Sequence, residues 1–97
     1  MARIRELPVD YTKLTPTQRR EVRLQYIVQQ NGLCPYCGQP LDEPPAGEIQ
    51  TARVNHALFP PNFFDHPVHL HHSHHTGMTI GAVHARCNAV LWQYYGL

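Results

Sequence analysis

Val68-His69-Leu70-His71-His72-Ser73-His74-His75-Thr76-Gly77 packs five imidazoles into the seven residues from His69 to His75. Seven of the chain's 8 histidines fall between His66 and His84, and clustered imidazoles point to metal binding or catalysis. The spacing predicts a strand over Val68 to His72, a turn at Thr76-Gly77, a short second strand over Thr79 to Val83, and a helix from His84 to Tyr95 ended by Gly96. Side chains on a strand alternate faces, so His71 and His72 are expected on opposite sides, with His72 and His74 sharing one. That layout suits hydrolysis of a phosphodiester with one ion: the ion stabilises the leaving oxygen while a neutral imidazole activates water in line. An imidazole with a pKa near ~6.5 is neutral enough and basic enough for this at physiological pH. Asn88, next to Cys87 on the final helix, offers a carbonyl oxygen as a second ligand.

Outward from this stretch lie two cysteine-bearing pairs. Cys34-Pro35-Tyr36-Cys37-Gly38 puts two thiolates on one tight turn, and His84-Ala85-Arg86-Cys87 places an imidazole and a thiolate one helical turn apart. Together they form a Cys3His set suited to a structural zinc ion, and they use every cysteine in the chain. An odd cysteine count cannot pair off in disulfides, which favours metal chemistry. Cys-Pro-Tyr-Cys is also the active-site tetrapeptide of glutaredoxins. There the motif follows a strand and opens a helix, whereas here a helix precedes it and Pro40, Pro44 and Pro45 forbid a long helix after it.

Upstream, Thr15-Pro16-Thr17-Gln18 reads as a capped helix start, running to about Gln30 with Gly32 as its left-handed stop. Val22, Tyr26 and Ile27 supply its apolar face; Arg19, Arg20 and Arg23 read as a solvated polar one. Residues 39 to 67, rich in proline, glycine and polar residues without periodicity, read as a long loop. Residues 1–14 read as an irregular basic lead-in, and 15–97 as one zinc-bound domain. The expected class is α+β: an N-terminal helix, a long loop, a short β-hairpin and a C-terminal helix.

The chain has 97 residues and a net charge of +1, too little for a basic nucleic-acid arm. Residues 1 to 28 carry +3 and the remainder −2. Three thiolates and one zinc bring the total to about 0, so neutralising phosphates cannot alone give tight binding. No stretch approaches the ~20 apolar residues of a membrane span, and no apolar run of a secretory signal is seen at the start. A cytoplasmic protein without membrane contact is expected.

From Cys34 to Asn88, 55 of 97 residues, the order Cys-x-x-Cys, His-Leu-His-His-x-His, Thr-Gly and His-x-x-Cys-Asn resembles the ββα-metal HNH (His-Me finger) endonucleases. The subgroup it is most similar to is that of phage recombination endonuclease VII. The resemblance implies a DNA endonuclease or nickase, a phosphodiester hydrolase, acting on double-stranded DNA, and small free-standing chains of this kind resemble phage-encoded nucleases. It implies that His72 is the general base, that His71 and Asn88 hold a catalytic divalent ion, and that His74 orients phosphate or supports the site. Cys34, Cys37, His84 and Cys87 match the family's four-cysteine zinc site with one substitution. His71 stands where the subgroup has Asp, a softer ligand that admits manganese, nickel or cobalt beside magnesium. The subgroup's later acidic residue has no match at Leu91. Affinity would then depend on the ion, on the N-terminal arginines, or on a partner protein or homodimer.

The competing reading is a non-catalytic zinc-stapled nucleic-acid-binding module. His66, His75 and His56 read as surface or loop residues, and the role of His69 stays open. Leu91, Trp92, Tyr94 and Tyr95 read as core or staple residues rather than a base-stacking platform.

Overall fold

The computed structural model describes residues 5–96. The chain folds as a small α+β unit whose two-stranded antiparallel sheet is flanked by helices. Helix α1, Pro16–Gln29, begins with Pro16 at its first position and the expected capping box, Thr15 accepting from Gln18 N–H and Gln18 accepting from Thr15 N–H. It stops where Asn31 and Gly32 both turn left-handed, at φ 55° and 73°. Asn31 thus shares the stop with Gly32.

Strands β1, Val68–His72, and β2, Thr79–His84, pair in the register Val68 with His84, Leu70 with Ala82 and His71 with Gly81. His72 then pairs with Thr79, so a bulge falls between His71 and His72. The second strand runs one residue past the expected Val83. As a result His84 is the N-cap of α3, Ala85–Tyr95, rather than its first helical residue.

The segment 39–67 is not structureless. It holds a one-turn helix α2, Gly47–Thr51, and a 3-10 turn at His56–Leu58 whose cap is the Asn55 side chain. No periodicity marks these pieces because α3 supplies much of what orders them. Arg86 donates to the carbonyls of Ile49 (3.2 Å) and Ala52 (2.7 Å), and Gln93 and Tyr94 both donate to the carbonyl of Arg53. A buried Ile49 adds an apolar anchor.

Part of the lead-in over 1–14 lies outside the described residues. The described part runs along the hairpin: Val9 bonds Thr79 through both its N–H and its carbonyl, Asp10 bridges to Met78, and Tyr11 N–H donates to Gly77. Leu7, Val9, Tyr11 and Leu14 pack onto the core.

That core joins α1 (Val22, Tyr26), the cysteine turn (Cys34, Leu41), the sheet (Leu70, Ala82, Val83) and α3 (Cys87, Val90). Tyr26 keeps its hydroxyl satisfied at Thr79 Oγ1, 2.9 Å away. Gln30 closes the free edge of β2: its Nε2 donates to the carbonyl of Ala82 and its Oε1 accepts the N–H of Ala82, each at 2.9 Å. A Cβ on Gly81 would lie 2.8 Å from that same Oε1. Leu91 is buried as expected, but Trp92 is 39% exposed, Tyr94 52% and Tyr95 64%. None of these three is core, because the core-facing positions of α3 are filled by Cys87, Val90 and Leu91, while Tyr94 acts as a staple through its bond to the Arg53 carbonyl. Among the described residues no helix is long and apolar enough to cross a membrane.

Candidate metal centre and histidine groove

The cysteine turn is drawn tight by Gly38 N–H donating to the carbonyl of Cys34 and Cys34 N–H donating to that of Gln39. Gly38 takes φ 80°, a conformation that L side chains rarely adopt. This turn faces the junction of β2 and α3, and the ligand atoms of Cys34, Cys37, His84 and Cys87 lie within 4.8 Å of one another. His84 Nδ1 stands 3.4 Å from Cys37 Sγ and 3.6 Å from Cys87 Sγ. Tetrahedral zinc with Zn–S near 2.3 Å and Zn–N near 2.0 Å separates neighbouring ligands by roughly 3.5–3.8 Å. The four residues fit such an ion and can hold it.

The imidazole is oriented for this task. His84 Nε2 lies 2.9 Å from the carbonyl of Pro40 and 2.8 Å from that of Glu43. A nitrogen facing two acceptors must carry the proton, which leaves the Nδ1 lone pair toward the thiols. The neighbouring Cys87 thiol holds Cys34 below the ordinary thiol range, at about 4, and Cys34 in turn pushes Cys87 up.

The second cluster lies in a groove of about 510 Å³ bordered by β1, α1, α3 and the segment around Phe59 to His66. His69 and His71, two apart on β1, share a face, and Asn88 from the first turn of α3 sits between them. His71 Nδ1 is 3.1 Å from Asn88 Oδ1, and Asn88 Nδ2 donates to His69 Nδ1, also at 3.1 Å. Two donor atoms 3.1 Å apart have the spacing of adjacent ligands on one octahedral divalent ion with bonds of roughly 2.1 Å. His71 and Asn88 are thus brought together from the hairpin and the helix, at hydrogen-bond distance.

His72 borders the same groove. The expectation that it would face away from His71 assumed a regular strand, and the bulge between them breaks that alternation. Its ring stacks on Tyr11, centroids 3.8 Å apart and planes within 7°, and His74 stands 5.0 Å off, on the side the alternation predicts. Burial holds His69, His71 and His72 below the ordinary imidazole range. At His72 the neighbouring His74 and His71 add to the shift; at His71 the bond to Asn88 opposes it. Burial thus favours the neutral form of all three.

Three features escaped the sequence reading. His69 belongs to the cluster, as its i, i+2 spacing from His71 could have signalled. Tyr11 reaches His72 from the lead-in, a contact across 61 positions that no local pattern encodes. Arg19 and Arg23, taken as a solvated face, border the groove. The chain matches no family model, no curated protein and no solved structure.

Proposed function

We propose that the chain is a metal-dependent DNA endonuclease or nickase with the ββα-metal arrangement of HNH nucleases. The observation that carries this reading is the meeting of His71 and Asn88 at 3.1 Å, from hairpin and helix, in the groove that His72 also borders. In this reading His71 and Asn88 hold magnesium, manganese, nickel or cobalt, which when bound supplies charge stabilisation to the leaving oxygen. His72, fixed by its stack on Tyr11, takes a proton from the attacking water as the water oxygen bonds to phosphorus and the bond from phosphorus to the leaving sugar oxygen breaks, that oxygen taking up a proton from solvent. The imidazolium so formed returns its proton to solvent through the open groove. His74, exposed beside it, orients the phosphate. The Cys3His cluster, loaded with zinc, fixes the first turn of α3 and with it Asn88.

The test is incubation of supercoiled plasmid with purified protein in magnesium, manganese, nickel, cobalt or EDTA, alongside His72→Ala. Relaxed or linear product in at least one ion, absent with EDTA and with the variant, is expected. No product under any ion would leave only the zinc-stapled binding module.

A further inference from the structure

We infer that the groove is built to take an unpaired stretch of DNA strand, with phosphates toward Arg19 and Arg23 of α1 and base faces against Phe59, Phe63 and Trp92. This rests on the DNA-cleavage reading of the same groove and narrows its substrate from the double-stranded DNA that the family resemblance implies.

The two kinds of lining residue come from different elements, with the β1 imidazoles among them. Among the described residues neither arginine ion-pairs with a carboxylate. Arg19 lies with its guanidinium carbon 4.0 Å over the Tyr11 ring and donates to the carbonyl of Tyr11, yet its Nε is buried without a partner. His72 occupies Tyr11 at 3.8 Å, so the two stacking distances leave one neighbour to each face of the ring. Arg19 is thereby held at the groove; its buried Nε is closed to a ligand, and the guanidinium hydrogens beyond the one given to Tyr11 are those a phosphate contact would use.

The aromatic side has the opposite character. Phe64 lines another cavity, beside His84 and Arg86, whereas Phe59, Phe63 and Trp92 border the groove. Phe59 meets Phe63 at 4.6 Å and Trp92 at 5.8 Å, and Phe63 meets His69 at 4.6 Å, so the rings form one continuous patch up to the imidazoles. Trp92 stays 39% exposed there. In a duplex the base faces are covered by their neighbours and only edges show in the grooves, so aromatic rings gain little from it. An unpaired strand offers bare faces, and each base stacked on a ring is a substantial share of affinity. With a net charge of only +1, phosphate attraction is small and such stacking has more to supply.

Trp92 is the chain's single tryptophan, so its fluorescence reports directly on this surface. The experiment titrates the zinc-loaded protein, without added divalent ions, with a mixed-sequence DNA strand of about 15 nucleotides and with the same strand annealed to its complement. The single strand is expected to quench Trp92 and to bind roughly tenfold or more tightly than the duplex. Phe59→Leu and Phe63→Leu should each weaken single-strand binding roughly fivefold or more and leave duplex binding unchanged. Arg19→Gln with Arg23→Gln should flatten the salt dependence of both. Duplex binding as tight as the single strand, or single-strand binding without any Trp92 signal, would overturn the inference. The parent titrations decide this even if a variant fails to fold. Preferential single-strand binding with no cleavage of any DNA would refute the nuclease reading and leave this one standing. Cleavage of both forms with equal affinity would do the reverse.

Discussion

Gln30 pairs with Ala82 as a strand would, giving and receiving one bond at 2.9 Å each. A single side chain thus satisfies both backbone groups at the open edge of a two-stranded sheet. Gln30→Ala should leave two part-buried polar groups unpaired and cost roughly 2–3 kcal/mol, lowering the melting temperature by about 10 °C or more. Gly81→Ala should approach the same loss, since its Cβ displaces the Gln30 oxygen from 2.8 Å. Thermal unfolding of both variants and the double variant checks this. The double variant is expected to lose clearly less than the two single losses combined, because both remove one clamp.

The Cys3His cluster should hold one zinc per chain as isolated. Cys37→Ser or Cys87→Ser should reduce bound metal and unfold the C-terminal half, because these side chains and a small shared core join the turn at Cys34 to the start of α3. Metal analysis and circular dichroism with and without chelator give the readout. A variant with parental melting and no metal would show that the cluster is not structural.

On the proposed nuclease reading, Asn88→Ala should raise the manganese concentration needed for half-maximal plasmid cleavage by roughly tenfold or more, with partial recovery at saturating metal, since it removes the proposed oxygen ligand and the bonds that hold His71 and His69. His71→Ala should behave alike. His72→Ala should not be rescued by metal at any concentration, and this contrast separates ligand from base.

Cleavage should rise with pH. The His72 ring is held below its ordinary range first by burial and then by His74 and His71, so its neutral, proton-accepting form is reached at lower pH than in a free imidazole. The rate should climb to a plateau with its midpoint below ~6.5. Initial rates between pH 5 and 8.5 at saturating manganese test the sign; a rate that falls as pH rises would contradict a neutral His72.

Much of this was legible in the sequence for a physical reason. The helix ends at Thr15 and Gly96, the hairpin and the four metal-ligating positions are set by short-range rules of capping, alternation and ligand spacing. What escaped depends on contacts distant in sequence. Segment 39–67 is ordered by Arg86, Gln93 and Tyr94, 34 to 41 positions away from the groups they bond. The bulge that brings His72 beside His71 arises from a register shift against β2, which alternation along β1 alone cannot reveal. Trp92 was misread as core because an aromatic on an amphipathic helix is usually inward, and only the neighbouring Phe59 shows what it faces.

The bonds by which α3 holds that segment end on main-chain groups, the carbonyls of Ile49, Ala52 and Arg53 and the N–H of Asn55. Every residue type carries the carbonyl and all but proline the N–H, so the grip is indifferent to what the segment spells at most of its positions. Selection can therefore rewrite Leu58, Phe59 and Phe63, and with them the character of the groove, without retooling the anchor. The long segment is thus the part of this small protein whose side chains can change while the histidines of β1 and the Cys3His cluster stay in place.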